Sequence, residues 1–242
     1  MGLFNRKKKT CAVCGKELGL FGKVKIADDQ VICKECSGKL SPYFTGRRSA
    51  TVDQIIDQLE YREQNKAVVA DLNPTRTLGN STKVYIDDEA GKLAITNDSN
   101  WRNANPDIFD FEQITGCEWE VEEDRTEIKR ELEDGREVSY NPPHYEYEYD
   151  FYVTVQINHP YVSSIRFKVN TYTIELRNSA EYNNTERIAK EIHAALTDLH
   201  KGVQEARVAA NTPKKAVVCP HCMATTMPDA NGCCEYCGGA LE

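Results

Sequence analysis

Eight of the ten cysteines in this 242-residue chain fall into four Cys-x-x-Cys pairs. Cys11/Cys14 and Cys33/Cys36 stand 18 residues apart, and Cys219/Cys222 and Cys234/Cys237 stand 11 apart. Thiolates at this spacing do one of two things: they ligate a metal, or they cycle as a dithiol. A two-residue gap lets one tight turn present two sulfurs, and two such turns complete a tetrahedron around zinc. A redox dithiol needs only one pair, so paired pairs favour four ligands. The reading is two structural Zn²⁺ sites, held by Cys11, Cys14, Cys33 and Cys36 and by Cys219, Cys222, Cys234 and Cys237. The ligand types do not separate zinc from iron. At the second site Cys233 abuts Cys234, but from Cys233 the gap to Cys237 is three residues. His221 lies inside a knuckle as another substitute, and Met223 stands where the usual knuckle has glycine. Cys117 sits on an apolar strand face and reads as a core residue.

Other chemistry is absent from the motif inventory. The chain holds no phosphate-binding glycine loop, no Gly-x-Ser-x-Gly elbow and no His-Glu-x-x-His. Its five histidines are scattered, and none lies beside a candidate nucleophile. A closed four-cysteine site leaves no open coordination position, as catalytic zinc requires. The expectation is a protein that is not an enzyme, with no catalytic residues, no further cofactor and no small-molecule substrate.

The elements around the first set follow from pattern. VKIADDQVIC reads as a hairpin, with Val24, Ile26 and Val31 flanking a turn at Asp28 and Asp29. So small a module buries little, and metal supplies roughly 10–16 kcal/mol instead. This opening resembles a bacterial zinc-ribbon family of unknown function, through CAVCGKELG and CKECSGKL. The family is known by its metal ligands and implies no catalytic residue. The tail, VVCPHCMATTMPDANGCCEYCGGALE, resembles the short zinc ribbons that close many prokaryotic proteins.

Between the two sets, Thr51 and Gln54 form a capping box ahead of a helical stripe, Val52, Ile55, Ile56 and Leu59. The stripe fades beyond Tyr61, and LNPTRTLGNST reads as a linker with Pro74 and Gly79 as breakers. Strands follow. KVYIDDEAGKLAIT predicts two of them around a turn, and ITGCEWEVEED alternates. Tyr145, Tyr147, Tyr149, Phe151, Val153, Val155 and Ile157 keep an unbroken period of two. Ile165, Phe167 and Val169 continue after a turn, and Tyr172, Ile174 and Leu176 predict one strand more. The period then becomes helical at Ile188, Ile192, Ala195, Leu196, Leu199 and Val203, with Asn184 or Thr185 as the cap. Many antiparallel strands before one amphipathic helix, together with NPDIFDFEQITGCEWE, resemble the pleckstrin-homology-like class. That resemblance implies an α+β fold, an antiparallel barrel or sandwich whose helix plugs one corner. The expected division is a basic arm and zinc ribbon at 1–48, a helix and linker at 49–82, the barrel with its helix at 83–209, and a linker and ribbon at 210–242.

Charge narrows the partners. Residues 1–48 carry 11 Lys/Arg against 4 Asp/Glu, and residues 104–150 carry 16 Asp/Glu against 4 Lys/Arg. EEDRTEIKRELEDGRE, read as a loop, is too acidic for an anionic lipid headgroup. The favoured function is a zinc-binding adaptor that engages other proteins. Nucleic-acid binding through Lys7, Lys8, Lys9, Lys23, Lys25, Arg47 and Arg48 is the alternative. A third reading is membrane attachment through MGLF and RKKK, which bury little. Unoxidised cysteine pairs without an export signal point to the cytoplasm.

Overall fold

The protein is described by a computed structural model, which covers residues 9–19, 22–211, 216–229 and 232–241. Of the basic N-terminal arm only Lys9 falls among them; Met1 to Lys8 lie outside the described residues. Two compact units divide near His200.

The first unit opens with two small hairpins. Strand β1 (Lys9–Thr10) pairs with β2 (Glu17–Leu18), and β3 (Lys23–Lys25) pairs with β4 (Val31–Cys33). The turn expected at Asp28 and Asp29 joins β3 to β4, and both residues take positive φ there, a conformation Asp tolerates. Helix α1 (Lys34–Lys39) follows at once. Ile26, Val31, Ile32, Leu40 and Ala50 bury together with Ile55 of helix α2 (Val52–Asp71), so this module borrows part of its core from the next element. The Thr51–Gln54 capping box forms in both directions.

Helix α2 is longer than its apolar stripe suggested, because polar contacts hold its second half. Arg62 Nη1 donates to Asp107 Oδ1 at 2.9 Å, and Asp107 also accepts from Ser41 Oγ at 2.5 Å. Asn65 Nδ2 donates to the carbonyl of Pro106 at 2.7 Å, and Asn105 Nδ2 returns a bond to the Arg62 carbonyl at 2.9 Å. Val69 and Leu72 then bury against Tyr85, Ala94 and Ile108.

The segment read as a linker contains a strand, β5 (Arg76–Leu78). It pairs with β6 (Lys83–Asp87), which pairs with β7 (Lys92–Thr96), and the short helix α3 (Trp101–Ala104) precedes the edge strand β8 (Ile108–Asp110). Three residues were too few to show a period, and Arg76 reaches Asp88 rather than the core. The two faces of this four-stranded sheet meet different partners. Val84, Ile86, Leu93, Ile95 and Phe109 face the main core, while Tyr85 and Ala94 face α2.

A three-stranded sheet covers the main core from the other side, in the order β11 (Ser164–Lys168), β10 (Glu137–Ile157), β9 (Ile114–Glu131). The acidic segment read as a loop is strand on both sides of a tight turn at residues 132–136, so β9 and β10 form one long hairpin. Tyr149, Phe151, Val153 and Val155 bury with Ile165, Phe167 and Ile174. The strand expected at Tyr172, Ile174 and Leu176 reduces to one bridge between Tyr149 and Ile174, with Tyr172 and Leu176 exposed. Helix α4 (Ala180–Asn211) closes the core with Ile188, Ala189, Ile192 and Leu196. It starts earlier than the sequence suggested, because Ser179 caps it: Ser179 Oγ accepts from the Tyr182 N–H at 3.1 Å.

The fold is thus α+β, built of antiparallel sheets. The expected barrel is not formed: none of the sheets closes among the described residues, and two open sheets enclose the core instead. No described helix is long and apolar enough to cross a membrane. In the second unit, β12 (Val217–Val218) pairs with β13 (Thr225–Thr226).

The Arg62–Asp107 pair is almost fully buried. Removing one partner of such a pair strands a charge and typically costs about 3–5 kcal/mol. Asp107→Ala should lower stability by that order in a denaturant titration, whereas Glu63→Ala, which breaks an exposed ion pair on the same helix, should change it by less than about 1 kcal/mol.

Candidate metal centres

Each centre is assembled from tight turns. Cys11 and Cys14 flank one in which the Gly15 N–H donates to the Cys11 carbonyl at 2.9 Å. Gly15 takes φ of +73°, where a side chain is disfavoured. The partner pair is presented differently. Cys33 is the N-cap of α1, and Cys36 lies in its first turn. The Cys36 N–H donates to Cys33 Sγ at 3.3 Å, so the helix start doubles as a sulfur clamp. The Cys33 N–H donates to Cys11 Sγ at 3.3 Å, and this bond crosses between the two pairs.

The second centre uses two knuckles of the first kind. The Met223 N–H donates to the Cys219 carbonyl and the Gly238 N–H to the Cys234 carbonyl, both at 2.8 Å. Gly238 takes φ of +71°, and Met223 is forced to +60°. The His221 ring lies over Gly239, where an added Cβ would come within 2.4 Å of it.

All eight cysteines expected from spacing come together as two sets of four. Within each set the sulfurs lie within 4.8 Å of one another. Cys11 and Cys36 are 3.9 Å apart, and Cys14 and Cys33 3.8 Å. Cys219 and Cys237 are 3.6 Å apart, and Cys222 and Cys234 3.7 Å. A tetrahedron with Zn–S bonds of about 2.3 Å has edges of about 3.8 Å. The donor sets therefore fit a tetrahedral thiophilic ion. All four positions of each set are taken by sulfur, an arrangement suited to shaping the chain around the ion.

The acid–base character of the sulfurs fits the same role. At Cys11, burial works against ionisation, but the N–H groups of Cys14, Cys33 and Val13 outweigh it and bring the thiol down to about 6. Burial and its sulfur neighbours push Cys36 the other way. In the second set burial likewise opposes ionisation of Cys219, and N–H groups of Cys222 and His221 overcome it, giving about 6. The Gly239 N–H favours the Cys237 thiolate, yet the neighbouring sulfurs prevail and push it up to about 12. One thiolate per set, Cys11 and Cys219, is favoured by the fold alone, while the sulfurs around Cys36 and Cys237 oppose their ionisation.

The remaining candidates separate from this chemistry. Cys233 and His221 are not in the set of four. Cys117 is half-buried beside the main core, and burial raises its thiol to about 12. His159 packs among Tyr61, Phe109 and Tyr161, and burial lowers its pKa. His200 Nδ1 sits 2.7 Å from the Ile114 carbonyl. The sulfur-clamping role of α1 was missed, because six residues ending at Lys39 carry no helical stripe.

Residues 9–58 match the model of a family described as a domain of unknown function, DUF4428. The match takes in the first metal centre and the start of α2. No curated protein and no solved structure matches the chain.

Elemental analysis of protein purified without chelators should return two zinc ions per chain, falling to one in Cys11→Ser and in Cys219→Ser. Met223 carries backbone strain that glycine would not, a difference of roughly 1 kcal/mol. Met223→Gly should therefore hold metal at the second centre at least as tightly, read as the chelator concentration that removes half of it.

Proposed function

We propose that this is a non-enzymatic, zinc-stabilised adaptor that presents its surfaces to other proteins. The observation that carries the reading is the closure of both centres: four sulfurs in each set face one another and account for every tetrahedral position. Metal at such a centre shapes the chain and leaves recognition to exposed side chains. The middle supports a scaffold role. Four strands, then three, then a long helix around one core is the element order of the pleckstrin-homology-like class, although the sheets stay open. Fold alone does not give function, so the weight rests on the sites. Unoxidised thiol sets fit a reducing, cytoplasmic setting.

Nucleic-acid binding by the basic first module is less favoured. Arg47 is engaged internally, donating to Ser37 Oγ at 3.2 Å and to the Ser41 carbonyl at 3.1 Å. Lys9 Nζ donates to the Asp29 carbonyl at 3.1 Å, and Lys16 pairs with Glu35 at 2.9 Å. Lys7 and Lys8 lie outside the described residues.

The test is to retrieve partners with the tagged full chain, purify the principal one and measure binding by calorimetry. A saturable complex that weakens in Cys11→Ser or Cys219→Ser is the expected outcome. A salt-dependent affinity for DNA or RNA with no protein complex would replace the adaptor reading by the nucleic-acid one.

A further inference from the structure

The long hairpin has two outer edges, and they are treated differently. On the β10 side, β11 covers Tyr152 to Gln156, and the bridge to Ile174 covers Tyr149. Beyond that, Pro142 and Pro143 interrupt the edge, and the register shifts between Ser139 and His144. Prolines and bulges are the usual means of preventing a further strand from adding. On the β9 side, no strand pairs with the outer edge among the described residues, although β9 runs for 18 residues. That edge holds no proline and no register shift between Gly116 and Ile128.

The direction of the free backbone groups follows from the ladder. Tyr149 exchanges both bonds with Ile174, and Phe151 bonds outward to Asn170 Oδ1 and Val169. Both residues therefore turn their N–H and C=O away from β9, which makes Tyr149–Glu123 and Phe151–Val121 non-hydrogen-bonded pairs. In such pairs both residues point outward. Val121, Glu123 and, by the same alternation, Trp119 and Arg125 offer their N–H and C=O to the open edge.

The side chains then define what the edge accepts. The sheet face turned away from the core carries Glu118, Glu120, Glu122 and Asp124 on β9, with Glu146, Glu148 and Asp150 beside them on β10. Glu148 lies directly across from Asp124, and Asp150 across from Glu122. Like charges directly opposed destabilise a sheet. Arg166, lying over the Tyr152 ring, reaches Glu120 at 3.0 Å and Glu122 at 2.7 Å, and Lys168 reaches Asp150 at 2.6 Å. Two cations thus serve a face of seven carboxylates. A second copy of this strand would bring acid against acid.

Resting on the protein-binding reading above, we propose that the β9 edge receives an extended, lysine- or arginine-rich segment of a partner protein as an added strand. The backbone of Trp119, Val121, Glu123 and Arg125 supplies the ladder. Basic residues at alternate positions of the incoming strand settle beside Glu118, Glu120, Glu122 and Asp124. Main-chain bonds give affinity and the alternating charges give specificity, as in strand addition generally.

The probe is a fluorescent ten-residue peptide of alternating Lys and Thr, titrated into the full zinc-loaded chain, with an alternating Glu and Thr peptide as control. Saturable binding of the basic peptide, at least about tenfold weaker at 1 M salt, where the screening length shrinks to about 3 Å, is expected. Glu122→Lys combined with Asp124→Lys should weaken it by a similar factor. The decisive comparison is Arg125→Ala with Arg125→Pro. Arg125 lies on the opposite sheet face from the seven carboxylates, so both remove the same cation without touching them, but only proline removes an outward N–H. Arg125→Ala should bind as well as or better than the native chain, and Arg125→Pro about tenfold worse. Amide exchange on the native chain gives a second readout that requires no variant. The N–H groups of Val121, Glu123 and Arg125 should slow on binding, while those of Glu122 and Asp124, already paired with β10, should not.

No saturable binding, equal affinity for the acidic peptide, Arg125→Pro binding like Arg125→Ala, or no alternating protection would each overturn the proposal. A purified partner that still binds the full chain in any of these cases would leave the adaptor reading standing. A peptide that binds while no protein partner is found would do the reverse.

Discussion

Four sulfur atoms within 4.8 Å of one another dominate each end of this molecule. At about 4 Å, two thiolates repel by roughly 4 kcal/mol at an effective dielectric constant of about 20. A set of four cannot ionise together without a cation among them, and as thiols the four offer one another only weak hydrogen bonds. The chain prepares for the ion with turns whose N–H groups point at sulfur. The two sets differ in what is buried around them. The first centre shares a small core of Ile26, Val31, Ile32, Leu40 and Ile55. In the second, the buried groups among the described residues are Cys219, Cys234 and Thr226. Among the described residues of that module, the sulfur set is the main thing the chain packs around.

The first centre is also tied to the middle of the chain, through α2. Ser41, just after α1, donates its N–H to Gln58 Oε1 at 3.3 Å and its hydroxyl to Asp107. Asp107 in turn holds Arg62. One carboxylate therefore joins three segments distant in sequence: the end of the metal module, the middle of the helix, and the approach to β8. Apolar contacts here could slide, but a bidentate arrangement of buried polar groups fixes the register of the helix against both neighbours. The cost of desolvating Asp107 is offset only while all its donors are in place. That makes the joint specific rather than merely adhesive.

What was legible in the sequence depended on whether a segment has one buried face. The cysteine sets were legible because metal geometry restricts spacing as strictly as any motif. Strand β10 from Tyr147 to Ile157 was legible because its alternate residues enter or line one core, and α4 because its stripe does the same. The second half of α2 was not, since Arg62 and Asn65 bury as polar partners of Asp107 and Asn105, which no hydropathy pattern records. Strand β5 was too short. Tyr172 and Leu176 misled in the opposite sense, alternating as if half-buried while the chain turns outward.

The outer hairpin is the instructive failure, because its residues form a strand for a reason other than burial. From Glu122 to Glu131 and from Glu137 to Glu148 most side chains on both faces are at least partly exposed. A two-stranded ribbon in water is marginal. Here it grows from a sheet already held by the core, so each added pair extends an existing ladder and avoids the cost of starting one. Cross-strand contacts help: Arg125 lies over the Tyr145 ring, and Tyr140 stacks on His144. Against these, Glu148 faces Asp124 and Asp150 faces Glu122, arrangements that local stability alone would not favour. Prolines guard one edge and charge alone guards the other. Proline excludes every incoming strand, since it removes a backbone donor. Charge excludes by sign, and so leaves the edge open to the opposite one.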